Sequence, residues 1–330
     1  MTKVAFIFPG QGSQSVGMGV ALAERFTEAR TAFERASHVL NWDLLQACKE
    51  GPEDRLRQTD VAQPALYVSG YAVFAVLRSF GITPDAVSGH SIGEYAALAA
   101  AGVFGFTEGL DLVRERGALM QAAALEHPGG MVAILGLSRE AVVAMCDNVQ
   151  QVHGVCVPVN FNTPEQIVVA GEKAAIEALS AAAAEGAKRV IPLNVSGAFH
   201  SPLMKEAAIR MKLRLSQVAF QNAACPVAMN VDGQCRQEAS AIQSALAQQL
   251  DHSVEWVKSI DSLKAAGCAV FVECGPGRVL SGLLKRIDKG LKSYSTDTLE
   301  ALNQTREALM TPLTPTLSPL RGERDGRSPG

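Results

Sequence analysis

A serine lies between two glycines in the pattern G-x-S-x-G, formed by Gly89-His90-Ser91-Ile92-Gly93. The apolar pair Ala86-Val87 precedes the pattern, and an alanine-rich segment, residues 94–101, follows it. Two glycines in this setting allow a sharp strand-to-helix turn that lifts a serine hydroxyl out of a sheet. The arrangement predicts a nucleophilic serine. A glycine-rich tight turn with a capping serine is the alternative.

A serine hydroxyl is a poor nucleophile near neutral pH, so Ser91 needs an adjacent base, most often a histidine. His90 is unsuitable because neighbouring side chains along an extended segment point to opposite faces. Among the 6 histidines, His200 ends the segment 194–199, where the chain is predicted to pass from a small lobe back into a large one. Such a junction faces the cleft, so we predict a Ser91–His200 pair. No Asp or Glu lies within four residues before His200 to orient it.

Arg116 is the third residue whose position suggests chemistry. On the predicted helix Leu110–Ala123, its neighbours three and four residues away are all apolar: Leu112, Val113, Leu119 and Met120. An arginine on a buried stripe is unfavourable unless an anion meets it. Its guanidinium fork can grip a free carboxylate through two parallel bonds. A structural ion pair inside the core is the alternative.

Four short motifs occur in order along the chain: Pro9-Gly10-Gln11-Gly12-Ser13-Gln14, Gly89-His90-Ser91-Ile92-Gly93-Glu94-Tyr95, Gly197-Ala198-Phe199-His200-Ser201 and Glu273-Cys274-Gly275-Pro276-Gly277. In these motifs the chain resembles the malonyl-CoA:acyl carrier protein transacylases of type II fatty acid synthesis, over roughly residues 3–305. The resemblance implies a ping-pong transfer from malonyl-CoA to the phosphopantetheine thiol of holo acyl carrier protein through a malonyl-serine.

The resemblance also implies the catalytic roles. Ser91 would be the acylated nucleophile and His200 its base, oriented by a main-chain carbonyl near Gln249 instead of a carboxylate. The backbone N–H groups of Gln11 and Ile92 would form the oxyanion hole. Their positions suit this role, because Gln11 lies in a glycine-flanked loop after the first strand and Ile92 begins the helix of the nucleophile.

The predicted substrate-binding residues are Arg116, Phe199 and Gln63. The arginine that matches Arg116 in the family binds the malonyl carboxylate. An aromatic residue at the position of Phe199 limits room at the α-carbon, so methylmalonyl should be disfavoured by about 1 to 3 kcal/mol. Simple packing at the lobe interface is the alternative for Phe199.

One position departs from the family pattern. The family commonly has a proline a few residues after the glutamine at 249, whereas this chain has Ser253. Loss of a proline frees the backbone φ angle and allows the segment that holds His200 to loosen.

Apolar strands alternate with helices along the chain, which is typical of a parallel sheet covered by helices. The predicted strands are Val4–Phe8, Asp85–Gly89 and Ala269–Glu273, and the further predicted helices are Pro64–Phe80, Ser201–Gln217 and Val279–Ile287. Residues 131–193 follow the order β-α-β-β-α-β of a ferredoxin-like unit. We predict an α/β fold in which an α/β-hydrolase-like large domain (residues 1–125 and 199–305) carries an inserted ferredoxin-like small domain (residues 126–198). The cleft between them is the predicted ligand site.

The composition excludes several classes. With 330 residues and a net charge of −3, the chain lacks the basic surface of a general nucleic-acid binder. The 7 cysteines show no CxxC spacing, so neither a disulfide framework nor a zinc site is indicated, and we predict no metal or nucleotide cofactor. The apolar run Val61–Leu77 is shorter than the roughly 20 residues of a membrane span and predicts a buried helix.

The ends of the chain carry two further expectations. The N-terminal apolar run Val4–Phe8 is too short for a signal peptide, which predicts a cytoplasmic protein. Residues 306–330 are predicted to form a disordered tail, since the proline-rich end has no apolar face. A monomer is the family expectation.

The expected partners are malonyl-CoA and an acidic acyl carrier protein. The densest basic runs, which are candidates for docking this partner, are Arg210–Arg214, Lys285-Arg286 and the pair Lys289 and Lys292. A solvated helix face is the alternative for each. Three other functions remain open: a discrete acyltransferase of a polyketide or malonate decarboxylase pathway, an esterase with water as acceptor, and a non-catalytic carrier-protein binding module. The esterase leaves Arg116 unexplained, and the binding module leaves the Ser91–His200 pair without use.

Overall fold

The computed structural model describes residues 2–310, which form two β-sheets surrounded by helices. The strands are β1 (Lys3–Phe8), β2 (Ala86–Gly89), β3 (Gly129–Leu135), β4 (Cys156–Thr163), β5 (Gln166–Glu172), β6 (Arg189–Pro192), β7 (Val227–Ala228), β8 (Cys235–Arg236), β9 (Cys268–Glu273) and β10 (Lys292–Ser295). The helices are α1 (Val20–Arg25), α2 (Thr27–Leu40), α3 (Leu44–Glu50), α4 (Glu53–Arg57), α5 (Thr59–Ser79), α6 (Gly93–Ala100), α7 (Phe106–Glu126), α8 (Arg139–His153), α9 (Lys173–Ala183), α10 (Lys205–Leu215), α11 (Ala239–Leu246), α12 (Trp256–Ala265), α13 (Val279–Ile287) and α14 (Leu299–Met310).

The larger sheet has the strand order β10-β9-β1-β2-β7-β8, and all its pairs are parallel except β7 with β8. Side chains of β1 alternate between two buried clusters. Ala5 and Ile7 pack with α12 and α13, whereas Phe6 and Phe8 pack with α2, α5 and α7. Because both faces are covered, the central strands are continuously apolar, as expected for a parallel sheet.

The smaller sheet has the order β4-β5-β3-β6 and is antiparallel throughout. Its strands alternate with α8 and α9 in the order β-α-β-β-α-β, and a separate apolar cluster fills the space between sheet and helices. In the chain, this unit lies between α7 and a short 3-10 turn, Pro202–Met204, so the larger sheet receives strands from both sides of it.

Helix α5 crosses the core and is almost wholly buried. By length and composition alone it is apolar enough to span a membrane, but 89% of its most apolar window is buried inside the fold. The prediction of a buried helix here is therefore confirmed. Its predicted start at Pro64 was wrong, because the helix begins at Thr59. Pro64 lies in the second turn, where burial of the helix outweighs the loss of one backbone hydrogen bond.

Other predicted boundaries also require correction. The helix predicted over Leu110–Ala123 spans Phe106–Glu126. The helix predicted from Ser201 begins only at Lys205, because Ser201 caps the 3-10 turn that contains Pro202. The tail predicted from residue 306 is wrong for residues 306–310, which continue α14 to Met310. This helix is held by a buried Thr305, whose hydroxyl donates to the carbonyl of Ser295 at 2.9 Å. Residues 311–330 of the predicted tail lie outside the described residues.

Candidate active site

Ser91 lies in the tight turn between β2 and α6, at the carboxyl edge of the larger sheet. Its φ angle of 52° lies in the left-handed region, which is uncommon for a serine. The flanking glycines are needed because the backbone is crowded. A Cβ on Gly89 would lie 2.0 Å from the carbonyl of Gly93, and one on Gly93 would lie 2.1 Å from the carbonyl oxygen of Phe8. The turn thus holds the Ser91 hydroxyl clear of the sheet.

His200 lies against the serine. Its Nε2 is 2.7 Å from Ser91 Oγ, and its Nδ1 is 2.8 Å from the main-chain carbonyl oxygen of Gln249. Since a carbonyl can only accept, this contact places the proton on Nδ1 and leaves Nε2 as the acceptor for the serine hydroxyl. His200 also has a left-handed φ, 61°. Burial, and next the positive charge of Arg116, lower its pKa to about 3, so the ring is neutral at physiological pH.

His90 lies away from this pair, as predicted from its neighbouring position. Its Nε2 is 2.8 Å from Asn162 Oδ1 on β4, and its ring makes an edge-on contact with Trp256. Burial lowers the pKa of His90. It packs the nucleophile turn against the smaller sheet and does not contact Ser91 Oγ.

Within residues 2–310, neither the backbone N–H of Gln11 nor that of Ile92 donates a hydrogen bond. Gln11 follows β1 in the loop beside the nucleophile turn, and Ile92 directly follows Ser91 at the start of α6. Unpaired N–H groups at the beginning of a helix favour negative charge. The oxyanion-hole role predicted for these two donors stays a prediction.

Arg116 is fully buried on α7, and its guanidinium points to Ser91. Nη2 donates to Ser91 Oγ at 3.2 Å and to Gln249 Oε1 at 2.9 Å, and Nη1 donates to Gln63 Oε1 at 2.8 Å. Among residues 2–310, no carboxylate lies within 4.0 Å of this guanidinium. Within the described residues Arg116 thus makes no direct ion pair of the kind considered as the alternative. Amide oxygens hold its nitrogens, the Tyr95 ring centroid lies 5.6 Å from its Cζ, and the more distant Glu94 also acts on its charge. Burial lowers the pKa of Arg116.

The side chain of Gln249 links Arg116 to Glu94, a residue that is not among the predicted site residues. Gln249 Nε2 donates to Glu94 Oε2 at 2.6 Å and to the Ser91 carbonyl at 2.8 Å. Burial raises the pKa of Glu94 to about 7, although hydrogen bonds and Arg116 oppose the shift. The neighbours of Glu94 on its C-terminal side, Ala97 and Leu98, are apolar, which is half of the pattern that singles out Arg116; His90 and Ser91 on the other side are polar.

The segment after Gln249 is attached to the smaller sheet. Ser253 Oγ donates to the carbonyl of Pro158 at 2.8 Å, and Val254 exchanges backbone hydrogen bonds with Val159 and Phe161 of β4. A proline at 253 has no hydroxyl for the first of these bonds. The departure from the family pattern thus coincides with a tether that holds the segment in place.

The remaining predicted residue, Phe199, is buried beside His200, and its ring faces Gly197. Within the described residues, no group of three or more His, Cys, Asp or Glu side chains is placed to hold a metal ion.

The chain is similar to known acyl transferases in both sequence and structure. The family model described as an acyl transferase domain matches residues 5–315. The chain is 42% identical to the malonyl CoA-acyl carrier protein transacylase of Salmonella typhimurium, covering 92% of this chain and 97% of that protein. It is also 42% identical to the Bacillus subtilis protein of that name, over 92% and 98% of the two chains. A solved malonyl-transacylase in complex with a type II polyketide synthase acyl-carrier protein has a TM-score of 0.90 and 41% identity, covering 93% of this chain and 100% of that one.

Proposed function

Because the chain belongs to the acyl transferase family, we propose that it moves a malonyl group from malonyl-CoA to the phosphopantetheine thiol of holo acyl carrier protein. One observation carries the choice of malonyl: the buried guanidinium of Arg116 has no carboxylate partner among residues 2–310 and lies 3.2 Å from the nucleophile. A substrate carboxylate next to the scissile thioester supplies the missing anion.

In the first half-reaction, Ser91 Oγ attacks the thioester carbon while its proton passes to His200 Nε2. The carbonyl of Gln249 accepts the Nδ1–H bond and stabilises the imidazolium that forms. The carbonyl oxygen of the substrate becomes an oxyanion, which the N–H groups of Gln11 and Ile92 bind. When the tetrahedral intermediate collapses, the C–S bond breaks and His200 returns its proton to the thiolate of coenzyme A.

The second half-reaction reverses these roles. His200 removes the proton from the phosphopantetheine thiol, and the sulfur attacks the malonyl ester on Ser91. The oxyanion forms again at the same two N–H groups, and collapse breaks the C–O bond. The proton returns to Ser91 Oγ, so the free enzyme is restored. Water takes the place of the thiol in an esterase, and that rival still leaves the buried charge of Arg116 without a purpose.

The resting contacts of Arg116 fit this substrate. Gln63 and Gln249 fix the fork through amide oxygens, so the group is already oriented when the carboxylate arrives. Phe199, buried next to His200, is proposed to limit room at the α-carbon of the malonyl group.

We propose an α/β-hydrolase-like catalytic domain of residues 1–125 and 199–305, which the rest of α14 extends to Met310, and a ferredoxin-like small domain of residues 126–198. The order β6-β3-β5-β4 of the antiparallel sheet and its β-α-β-β-α-β connectivity support the second assignment. The four parallel pairs of the larger sheet and the serine turn after β2 support the first.

For the carrier protein, α10 offers a surface of suitable chemistry. Ile209 and Leu213 are exposed one helical turn apart and lie beside the basic residues Arg210 and Lys212. In the basic pair Lys285-Arg286, the Arg286 guanidinium donates a hydrogen bond to Gln166 of the smaller sheet. Docking of an acidic carrier to either surface should weaken steeply with salt, while hydrolysis of the malonyl-enzyme stays unchanged.

Intact mass of the purified protein tests the proposal directly. A brief exposure to malonyl-CoA should add one malonyl group, and holo acyl carrier protein should then remove it. The Ser91→Ala variant serves as the control and should stay unmodified. An adduct lost equally fast without carrier protein indicates an esterase, and absence of any adduct contradicts the proposal. A panel of carrier proteins separates fatty acid synthesis from a polyketide or malonate decarboxylase pathway.

We propose that the enzyme works as a monomer without a metal or nucleotide cofactor. Light scattering of the purified protein tests the first statement. Full activity after dialysis against a chelator tests the absence of a metal.

A further inference from the structure

Asn230 is a fully buried residue just beyond β7, the neighbour of β2 in the larger sheet. Its side-chain amide makes two hydrogen bonds to the nucleophile turn. Oδ1 accepts the backbone N–H of Ser91 at 2.8 Å, and Nδ2 donates to the carbonyl oxygen of Gly89 at 2.7 Å. One planar amide thus holds the turn on both sides of His90.

The backbone of Asn230 extends this network in two directions. Its N–H donates to Glu94 Oε1 at 2.7 Å, and its carbonyl accepts from the N–H of Glu255 at 2.8 Å. Glu255 in turn receives two bonds, at 2.8 and 2.6 Å, from Arg139 of the smaller sheet's helix α8. Asn230 is therefore hydrogen-bonded to the nucleophile turn, to Glu94 in the first turn of α6, and to Glu255, which pairs with Arg139 of α8.

The turn needs such support because Ser91 has a left-handed φ of 52°. A non-glycine residue held in a sparsely populated backbone region is strained and persists only where its surroundings enforce it. The amide of Asn230 also occupies the N–H of Ser91 and leaves the following N–H, that of Ile92, unpaired.

We propose that Asn230 is a positioning residue for the nucleophile. Its amide holds the strained turn so that Ser91 Oγ meets His200 and the N–H of Ile92 stays available to the oxyanion. The inference rests on the proposed acyl transfer, in which both groups act on the thioester.

The test compares Asn230→Ala and Asn230→Asp with Ser88→Ala. Ser88 is the matched control because it is fully buried, lies in the same pair of strands, and donates one hydrogen bond to the carbonyl of Ala228 at 2.9 Å. Two rates are measured for each folded variant: malonylation of Ser91 in a single turnover, and labelling of Ser91 by a fluorophosphonate. The fluorophosphonate carries no carboxylate that could bind Arg116, so its labelling rate reports the reactivity of Ser91 independently of malonyl binding.

We expect Asn230→Ala to slow both reactions by about 100-fold, because a small displacement of reacting groups has effects of this size. The KM for malonyl-CoA should change little, since Arg116 and Gln63 keep their places. Asn230→Asp retains an acceptor for the Ser91 N–H and should restore part of the rate. Ser88→Ala should lower the melting temperature without slowing either reaction.

Equal slowing in Ser88→Ala, or a rate loss that only follows the unfolded fraction, overturns the proposal. So does an Asn230→Ala protein that labels at the rate of the parent enzyme. If Asn230→Ala does not fold, Asn230→Asp, which loses the donor to the Gly89 carbonyl, takes its place: slowing of both reactions relative to Ser88→Ala supports the proposal, and parent rates overturn it. Failure of the proposed function is distinguishable, because the unsubstituted enzyme then takes the phosphonate but no malonyl group.

Discussion

Replacement of Arg116 by alanine should abolish the preference for malonyl over acetyl. The guanidinium is fully buried, and the two nitrogens of its fork are held by Gln63 and Gln249 beside the nucleophile. A hydrogen bond between charged groups contributes about 1.5 to 3 kcal/mol, which corresponds to a factor of about 10 to more than 100. We therefore expect kcat/KM for malonyl-CoA to fall by about that factor, with acetyl-CoA spared or improved.

The acetyl reaction should be spared for an electrostatic reason. The positive charge of Arg116 is one of the causes that lower the pKa of His200 to about 3, after burial. Loss of that charge raises the pKa of His200, which makes it a stronger base toward Ser91. The acid limb of the pH profile for Ser91 acylation should accordingly move to higher pH in Arg116→Ala. In the unsubstituted enzyme, a bound malonyl carboxylate neutralises the same charge and an acetyl group does not.

The assay measures acylation of Ser91 by malonyl-CoA and by acetyl-CoA in single turnovers, using intact mass. Arg114→Ala is the matched control on the same helix. Arg114 is half-exposed and pairs with Asp111 at 2.9 Å, so its loss should leave both rates unchanged. An equal loss of malonyl and acetyl transfer in Arg116→Ala would refute the reasoning, because it would make Arg116 a purely structural residue.

Substitutions of His200, Ser253 and Phe199 have three further expected outcomes. The pKa of His200 is about 3 in the folded protein against 6.5 when unfolded. Its contribution to stability is therefore complete above pH 6.5 and is lost as the pH falls toward 3. The free energy of unfolding of His200→Ala, measured with denaturant, should depend less on pH in that window than that of the parent protein. Ser253→Ala removes the hydrogen bond to Pro158 and should lower the free energy of unfolding by about 1 kcal/mol. It should also lower kcat more than it changes KM. Unchanged urea unfolding and an unchanged kcat would show that this hydrogen bond has no effect. Phe199→Ala should raise methylmalonyl relative to malonyl transfer by about 10-fold in a competition assay, and an unchanged ratio assigns Phe199 to packing alone.

Local pattern was sufficient for the central elements of the fold. Strands β1 and β9 are apolar over most of their length and β2 contributes Ala86 and Val87; burial of these residues on both faces explains why the sequence predicts the strands. Short or polar strands gave no such signal: β7 and β8 have two residues each, and β10 reads Lys-Ser-Tyr-Ser. Pairing with a neighbouring strand, and not the residues themselves, makes these segments strands: β7 pairs with the remote β2, β8 with the nearby β7, and β10 with β9.

The chemistry divides in the same way. The spacing of glycines around Ser91, the apolar neighbours of Arg116 and the motif around His200 could be read from the sequence, because each reflects a local demand of backbone or burial. The supporting contacts could not be read from the sequence. Asn230 lies 139 residues from Ser91 in the chain, and the hydrogen bonds from the Gln249 side-chain amide to Ser91 and Glu94 span 158 and 155 residues. An asparagine or glutamine carries no local mark of its partner, because a neutral amide suits a surface or a buried network equally. Only the packing of the parallel strands, which brings the ends of β2 and β7 together, decides which amides support the nucleophile.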